Sequence, residues 1–140
     1  MKPGSWGVRK SFAAFAVAAI AALPALSLAA DNPLYVEMLF LDEAFRDIVS
    51  AVAIGDTDTV VKAIVPLHGL AEKTRKGLSE GTVKLRKNAD RMAEFERLDK
   101  EFHKNLDTLT DAASKKNRPK MLATTKRLLD GCIRCHQTFR

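Results

Sequence analysis

The chain is poor in the groups that most chemistry uses. It holds two cysteines and three histidines in 140 residues, and His68 and His103 stand alone, with no ligand pair beside them. A zinc site built from two ligand pairs therefore has no donors to draw on. No nucleophile, base and orienting group stand together, and no second metal cluster is visible, so the chain is expected not to be an enzyme. After residue 31 no window alternates apolar and polar side chains as a strand does. The longest apolar run, residues 12–23, is short of the roughly 20 residues that a bilayer span needs.

That run has another reading. Lys2, Arg9 and Lys10 precede it, Pro24 breaks it, and the small residues of 27–30 follow. Basic start, apolar middle and small-residue end make a secretory signal peptide over residues 1–30, with cleavage after Ala29 or Ala30. A single domain is expected over residues 31–140, exported to the periplasm and without stable membrane insertion once the signal is cut. The net charge of +6 includes those three basic residues and no acid from the signal, so it falls by three to +3 in the mature chain. Nucleic acid loses its main support as a partner.

The mature part reads as four helices. Asn32-Pro33 starts the first, with Pro in the first turn where its missing N–H costs nothing. Leu34, Met38, Leu41, Phe45, Ile48 and Val52 then follow in a heptad seam, and Gly55 ends it. Asp56 or Thr57 caps the second helix, which carries Val60, Val61, Ile64, Leu67, Leu70 and Ala71 and runs to about Leu78. Pro66 inside it is expected to kink or split it. Residues 79–87 read as a loop and Asn88 as the cap of the third helix, whose seam is Met92, Phe95, Leu98, Phe102, Leu106 and Leu109. After a turn at 114–119, the fourth helix carries Met121, Leu122, Leu128, Leu129, Cys132 and Phe139. Short links force neighbours to run in opposite directions. The expected fold is all-α, an antiparallel up-down-up-down four-helix bundle.

Both cysteines lie in Cys132-Ile133-Arg134-Cys135-His136. C-x-x-C-H is the attachment motif of a c-type haem. The two thiols add across the haem vinyl groups, and the adjoining histidine supplies the proximal iron ligand. A thioredoxin-like pair would need a βαβ setting that is absent, half a zinc site lacks its other half, and a disulfide across two residues is a strained staple. Export and the motif support each other, because bacterial haem attachment takes place outside the cytoplasmic membrane.

An exported chain, four helices and C-x-x-C-H at the end of the last one together resemble the cytochrome c′ family. The ending His136-Gln137-Thr138-Phe139-Arg140 is similar to the family's, with an aromatic three after the histidine and a basic residue four after it, although the family more often has tyrosine at the place of Phe139. The resemblance implies one covalent haem c in one of two branches. High-spin members leave the sixth iron position open and bind small gases. Low-spin members fill it with a methionine of the first helix and carry electrons. An arginine that high-spin members often carry one turn before the distal residue is Leu34 here.

Bundle geometry ranks the candidates for that position. Met38 is about 7 Å along the first helix from Pro33, and His136 about 6 Å back from Arg140, so the two share a level. His68 falls about 15 Å from that level and His103 about 21 Å. Met121 is at the far end, and Met92 is the one rival. The resemblance places the open iron position opposite the first helix, which favours Met38, and Met/His iron has the raised potential of an electron carrier. Lys84, Arg86, Lys87, Arg91 and Arg140 should ring the haem end, where Arg140 or a neighbour can pair with a propionate and the ring as a whole can steer an acidic redox partner. The leading expectation is a periplasmic monohaem electron carrier with His136 and Met38 on the iron. The alternative is a five-coordinate binder of nitric oxide or carbon monoxide. A homodimer through the first two helices is possible.

Denatured mature protein is expected to keep haem-dependent peroxidase staining on a gel, and Cys135→Ala to weaken it. Loss of the stain from wild-type protein made with haem-maturation machinery present would remove the covalent claim.

Overall fold

The computed structural model describes residues 32–140; the signal-peptide assignment lies outside them. Four helices make up nearly all of it: α1 (Pro33–Ile54), α2 (Thr57–Ser79), α3 (Met92–Ser114) and α4 (Arg118–Phe139), with a single 3₁₀ turn (Ala89–Arg91) before α3. Each helix packs on the next, and α1 and α4 close the ring over a shorter contact. The result is the antiparallel up-down-up-down bundle that the spacing of apolar residues predicts. Among the described residues no helix is long and apolar enough to cross a membrane.

The starts and stops follow local chemistry. Asn32 Oδ1 accepts from Leu34 N at 3.2 Å, Asp56 Oδ1 from Thr59 N at 3.0 Å, and Asn117 Oδ1 from Lys120 N at 3.1 Å. Each satisfies a backbone donor that a helix start leaves orphaned. Gly55 ends α1 with φ +78°, a left-handed conformation that glycine adopts without strain.

Two expectations about boundaries are corrected. Pro66 does not split α2, which is continuous from Thr57 to Ser79. Pro66 and Lys62, whose carbonyl loses its partner, are both exposed, so water can serve that carbonyl while Ile64 and Leu67 anchor the helix in the core. Asn88 does not cap α3. It is left-handed, with φ 51° and no capping bond, and its side chain instead donates to Thr138 O at 2.6 Å.

The core has two parts. The larger centres on Ile48, Ile64, Leu106, Leu109, Met121 and Leu128. The smaller lies at the loop end, from Leu34, Val83, Phe95, Leu98 and Phe139, with Met38, Met92 and Cys135 packed against it. Leu34, Ile48, Phe95, Leu106 and Leu128 are buried as expected, whereas Leu41, Phe45 and Phe102 are only partly so. The cause is a small rotation of α1. Its most buried line is Leu34, Glu37, Ala44, Ile48 and Ala51, one residue off the expected seam at three positions. Two alanines let α2 come close, and Met38, Phe45 and Val52 move to the flank.

α2 contains a built-in contrast. A Cβ on Gly77 would lie 2.5 Å from Pro33 Cγ and 2.9 Å from Thr82 Oγ1, while one on Gly69 would meet nothing within 4 Å. Gly77→Ala is therefore expected to destabilise the protein by about 1–3 kcal/mol through overpacking. Gly69→Ala should stabilise it by about 0.5–1 kcal/mol through helix propensity. Denaturant midpoints of the two variants check both signs.

Candidate haem site

The site stands where α1 begins and α4 ends. The segment between α2 and α3 ties these two ends together. Asn32 Nδ2 donates to Lys84 O at 3.0 Å, Lys87 N to Phe139 O at 3.2 Å, and Asn88 Nδ2 to Thr138 O. The last two bonds serve carbonyls that a helix C-terminus leaves unpaired. Phe95 and Phe139 meet edge to face, with ring centroids 5.5 Å apart. The final turn of α4, only one residue from the chain end, is thus held from two sides.

Cys132 and Cys135 are free thiols, both half-buried. Burial, helped by the Asp99 carboxylate and by Cys132, pushes the Cys135 thiol up to about 11, and burial raises Cys132 as well. Both stay protonated at neutral pH. His136 is exposed, and partial burial of its ring, then the nearby Arg140 charge, hold its pKa below the usual histidine value. Its neutral form, the one with a lone pair for a metal, is favoured.

These residues fit a haem. Two thiols and a neutral imidazole on consecutive turns are the donor set that the motif requires. His136 also shares a helix stripe with Leu129 and Ile133, which are 49% and 47% exposed, and Tyr35 and Leu39 at the start of α1 are exposed as well. This is apolar surface at the same end of the bundle, of the kind a porphyrin covers.

Met38 packs on the same apolar cluster as Cys135 and Phe139. The cluster also shows that α3 overshoots: Phe95, not Met92, is level with Phe139 and Leu34. Counting from that layer, His136 and Met38 lie three and four residues inward, whereas Met92 lies three residues outward. That separates Met92 from His136 by about 9 Å along the axis. His68 is exposed on α2, 4.0 Å from Asp107, and Met121 is buried at the other end. Of the basic rim, Arg91 is engaged by Glu94, and Lys84 Nζ donates to Gly81 O. Arg86, Lys87 and Arg140 are exposed.

His103 is the largest departure from expectation. It does not stand apart from the haem end. Its Nε2 lies 2.9 Å from Oε1 of Glu37, the residue before Met38, and 3.5 Å from Asp99 Oδ1. The overshoot of α3 brings it closer than a count from Asn88 suggests, and the rotation of α1 turns Glu37 to meet it. Sequence reading missed the cluster because Glu37 interrupts an apolar seam and looks like a solvent position. Asp99 and His103, four apart on one helix, are the signal that could have found it.

Fold and donor set together define a four-helix haem protein with its C-x-x-C-H motif on the last turns of the last helix. A family model described as cytochrome C′ matches residues 36–140, and the chain belongs to that family. Membership implies haem c as the cofactor. No curated protein and no solved structure shows significant similarity to the chain.

Burial alone would lower the pKa of His103, but the Asp99 and Glu37 carboxylates outweigh it and raise it from 6.5 to about 9. A raised pKa in the folded state means that the protonated ring contributes stability. That contribution is complete below pH 6.5 and is lost as pH rises through about 9. In chelator-treated buffer the wild type should lose stability across this window more steeply than His103→Gln, as read from denaturant midpoints. Parallel pH profiles would show that His103 does not carry the effect.

Proposed function

We propose that the protein is an exported, periplasmic monohaem cytochrome that carries single electrons. Cys132 and Cys135 hold the haem as thioethers, His136 is the proximal ligand, and Met38 is the sixth ligand. The observation that carries this reading is the position of Met38, on the first helix, level with His136 and packed on the same apolar cluster as Cys135.

When bound, the haem iron supplies the one-electron couple. The chain supplies the rest. Cys132 and Cys135 would hold the haem by adding as thiols across its vinyl groups, a chemistry that needs no oxidant. His136, neutral for the reasons above, offers its ring nitrogen. Met38 offers a thioether from a helix braced by Leu34 and Phe95, at a local concentration that a dissolved gas has to overcome. Leu34, Leu98, Phe95 and Phe139 are buried and shield this face from water, which helps keep the potential high. Arg140, or Arg86 and Lys87 of the rim, pairs with a propionate, and the remaining positive charge steers an acidic redox partner.

The gas-binding alternative draws on the same surroundings. Met38 packs on the apolar side chains of its cluster, and these would line the open position if Met38 did not bind.

Spectra separate the two. The ferrous wild type should be low-spin and slow to bind carbon monoxide, and Met38→Ala should become five-coordinate and bind it rapidly. Met92→Ala should change little. A wild type that is already high-spin would establish the gas-binding reading, and a low-spin iron surviving Met38→Ala but not Met92→Ala would move the ligand to α3.

A further inference from the structure

Glu37, Asp99 and His103 meet inside the bundle, and electron transfer at the haem makes no use of them. Glu37 enters from α1 and His103 from α3, across the diagonal of the four-helix ring. Glu37 is fully buried, and the side chains of Asp99 and His103 are 8% and 12% exposed. Among the described residues this is the group of three donor side chains whose ligand atoms all lie within 4.8 Å of one another.

The arrangement suits a cation better than a proton. One nitrogen, His103 Nε2, faces two carboxylate oxygens, at 2.9 and 3.5 Å. A single N–H can point at one of them only. Here it is aligned with neither, and both Glu37 oxygens and the Nε2 atom are left without a hydrogen-bond partner. Two donors bound at about 2.1 Å to a tetrahedral ion would be about 3.4 Å apart, a separation that lies within the observed range. A divalent ion would also neutralise two carboxylates, whereas one imidazolium leaves a net negative charge in the core.

Thr74 lies at the same level of the bundle. Its hydroxyl is fully buried and has no partner. Thr108, Thr110, Thr125 and Thr138 donate to the carbonyl four residues back, and the buried Thr124 accepts from Arg127; Thr74 has neither kind of partner. Counting buried positions outward from the Gly55 turn pairs Ala51 with Val60, Ala44 with Leu67, and Glu37 with Thr74. The unused hydroxyl thus lies in the layer of the cluster, where a fourth ligand or a bound water would be needed.

We propose that Glu37, Asp99 and His103 form a second metal site, distinct from the haem, that takes a divalent first-row ion of tetrahedral preference, with zinc the best match, and bolts α1 to α3. One imidazole and two carboxylates suit such an ion. Binding displaces the proton that His103 otherwise holds, and it releases to solvent.

The test uses haem-loaded, tag-free protein. It is stripped with EDTA, equilibrated with zinc chloride, dialysed, and assayed for zinc per haem. The expected results are one zinc retained per haem, a rise of several degrees in Tm, and a zinc-edge X-ray absorption spectrum with a nitrogen and oxygen shell that contains imidazole and no sulfur. Glu37→Gln and His103→Gln should each lose the zinc, and His68→Ala should keep it. Failure of the wild type to retain zinc would overturn the proposal. So would a sulfur-containing shell, retention in both Glu37→Gln and His103→Gln, or loss in His68→Ala. The absorption spectrum needs no variant, so a Glu37→Gln chain that does not fold leaves the proposal open to refutation. None of these readouts depends on the sixth ligand of the haem iron.

Discussion

The haem end depends on keeping the last turn of a C-terminal helix from fraying. Terminal helical turns are weak because four carbonyls lack partners and chain ends are poorly held. Here the motif histidine lies in the last turn of α4. The connection between α2 and α3 solves the problem by donating Lys87 N and Asn88 Nδ2 to the carbonyls of Phe139 and Thr138, while Phe95 packs its ring against Phe139. The same connection takes hold of the start of α1 through Asn32. One segment thereby fixes two helix ends relative to each other, and the residues that would face the iron from either side are on those two ends.

Much of this was legible in the sequence, and the exceptions share a cause. C-x-x-C-H and the apolar spacing that gives four helices are local or periodic signals, and the four helices appear in the fold, although the seam of α1 is turned by one residue at three positions. Asn88 and His103 were misplaced, and Glu37 was passed over, because their partners are distant in sequence. Asn88 looks like a helix cap until the Thr138 carbonyl, 50 residues away, claims its amide. His103 looks isolated until the rotation of α1 supplies a carboxylate. Pro66 does not end the helix, since a proline on the solvent side removes a bond that water can replace.

A fully buried carboxylate is expensive for a small bundle, and nonpolar replacements of buried ion pairs are often no less stable. What such a cluster contributes is selectivity among arrangements. The apolar flank of α1 is broad enough to pack in more than one rotation about its axis, with Met38, Phe45 and Val52 or with Glu37, Ala44 and Ala51 turned inward. A charge that finds its counter-charge only in one rotation makes the others much less favourable. That rotation sets which face of α1 presents Met38 to the haem end.

The placement of the ligands also divides the molecule in time. Both cysteines and His136 belong to the α3–α4 hairpin, and Met38 belongs to the α1–α2 hairpin. Each hairpin forms from contacts close in sequence, which are rapid to establish. On the proposed attachment, a haem joined to α4 would need only that half of the chain to be in place. On the proposed ligation, the bond from Met38 to the iron forms only when the two halves dock, so the colour of the protein becomes a clock for that single step. Mixing experiments that follow the iron spectrum and the helical signal together would see two separate events in a chain of one domain, the first common to both halves and the second belonging to their union.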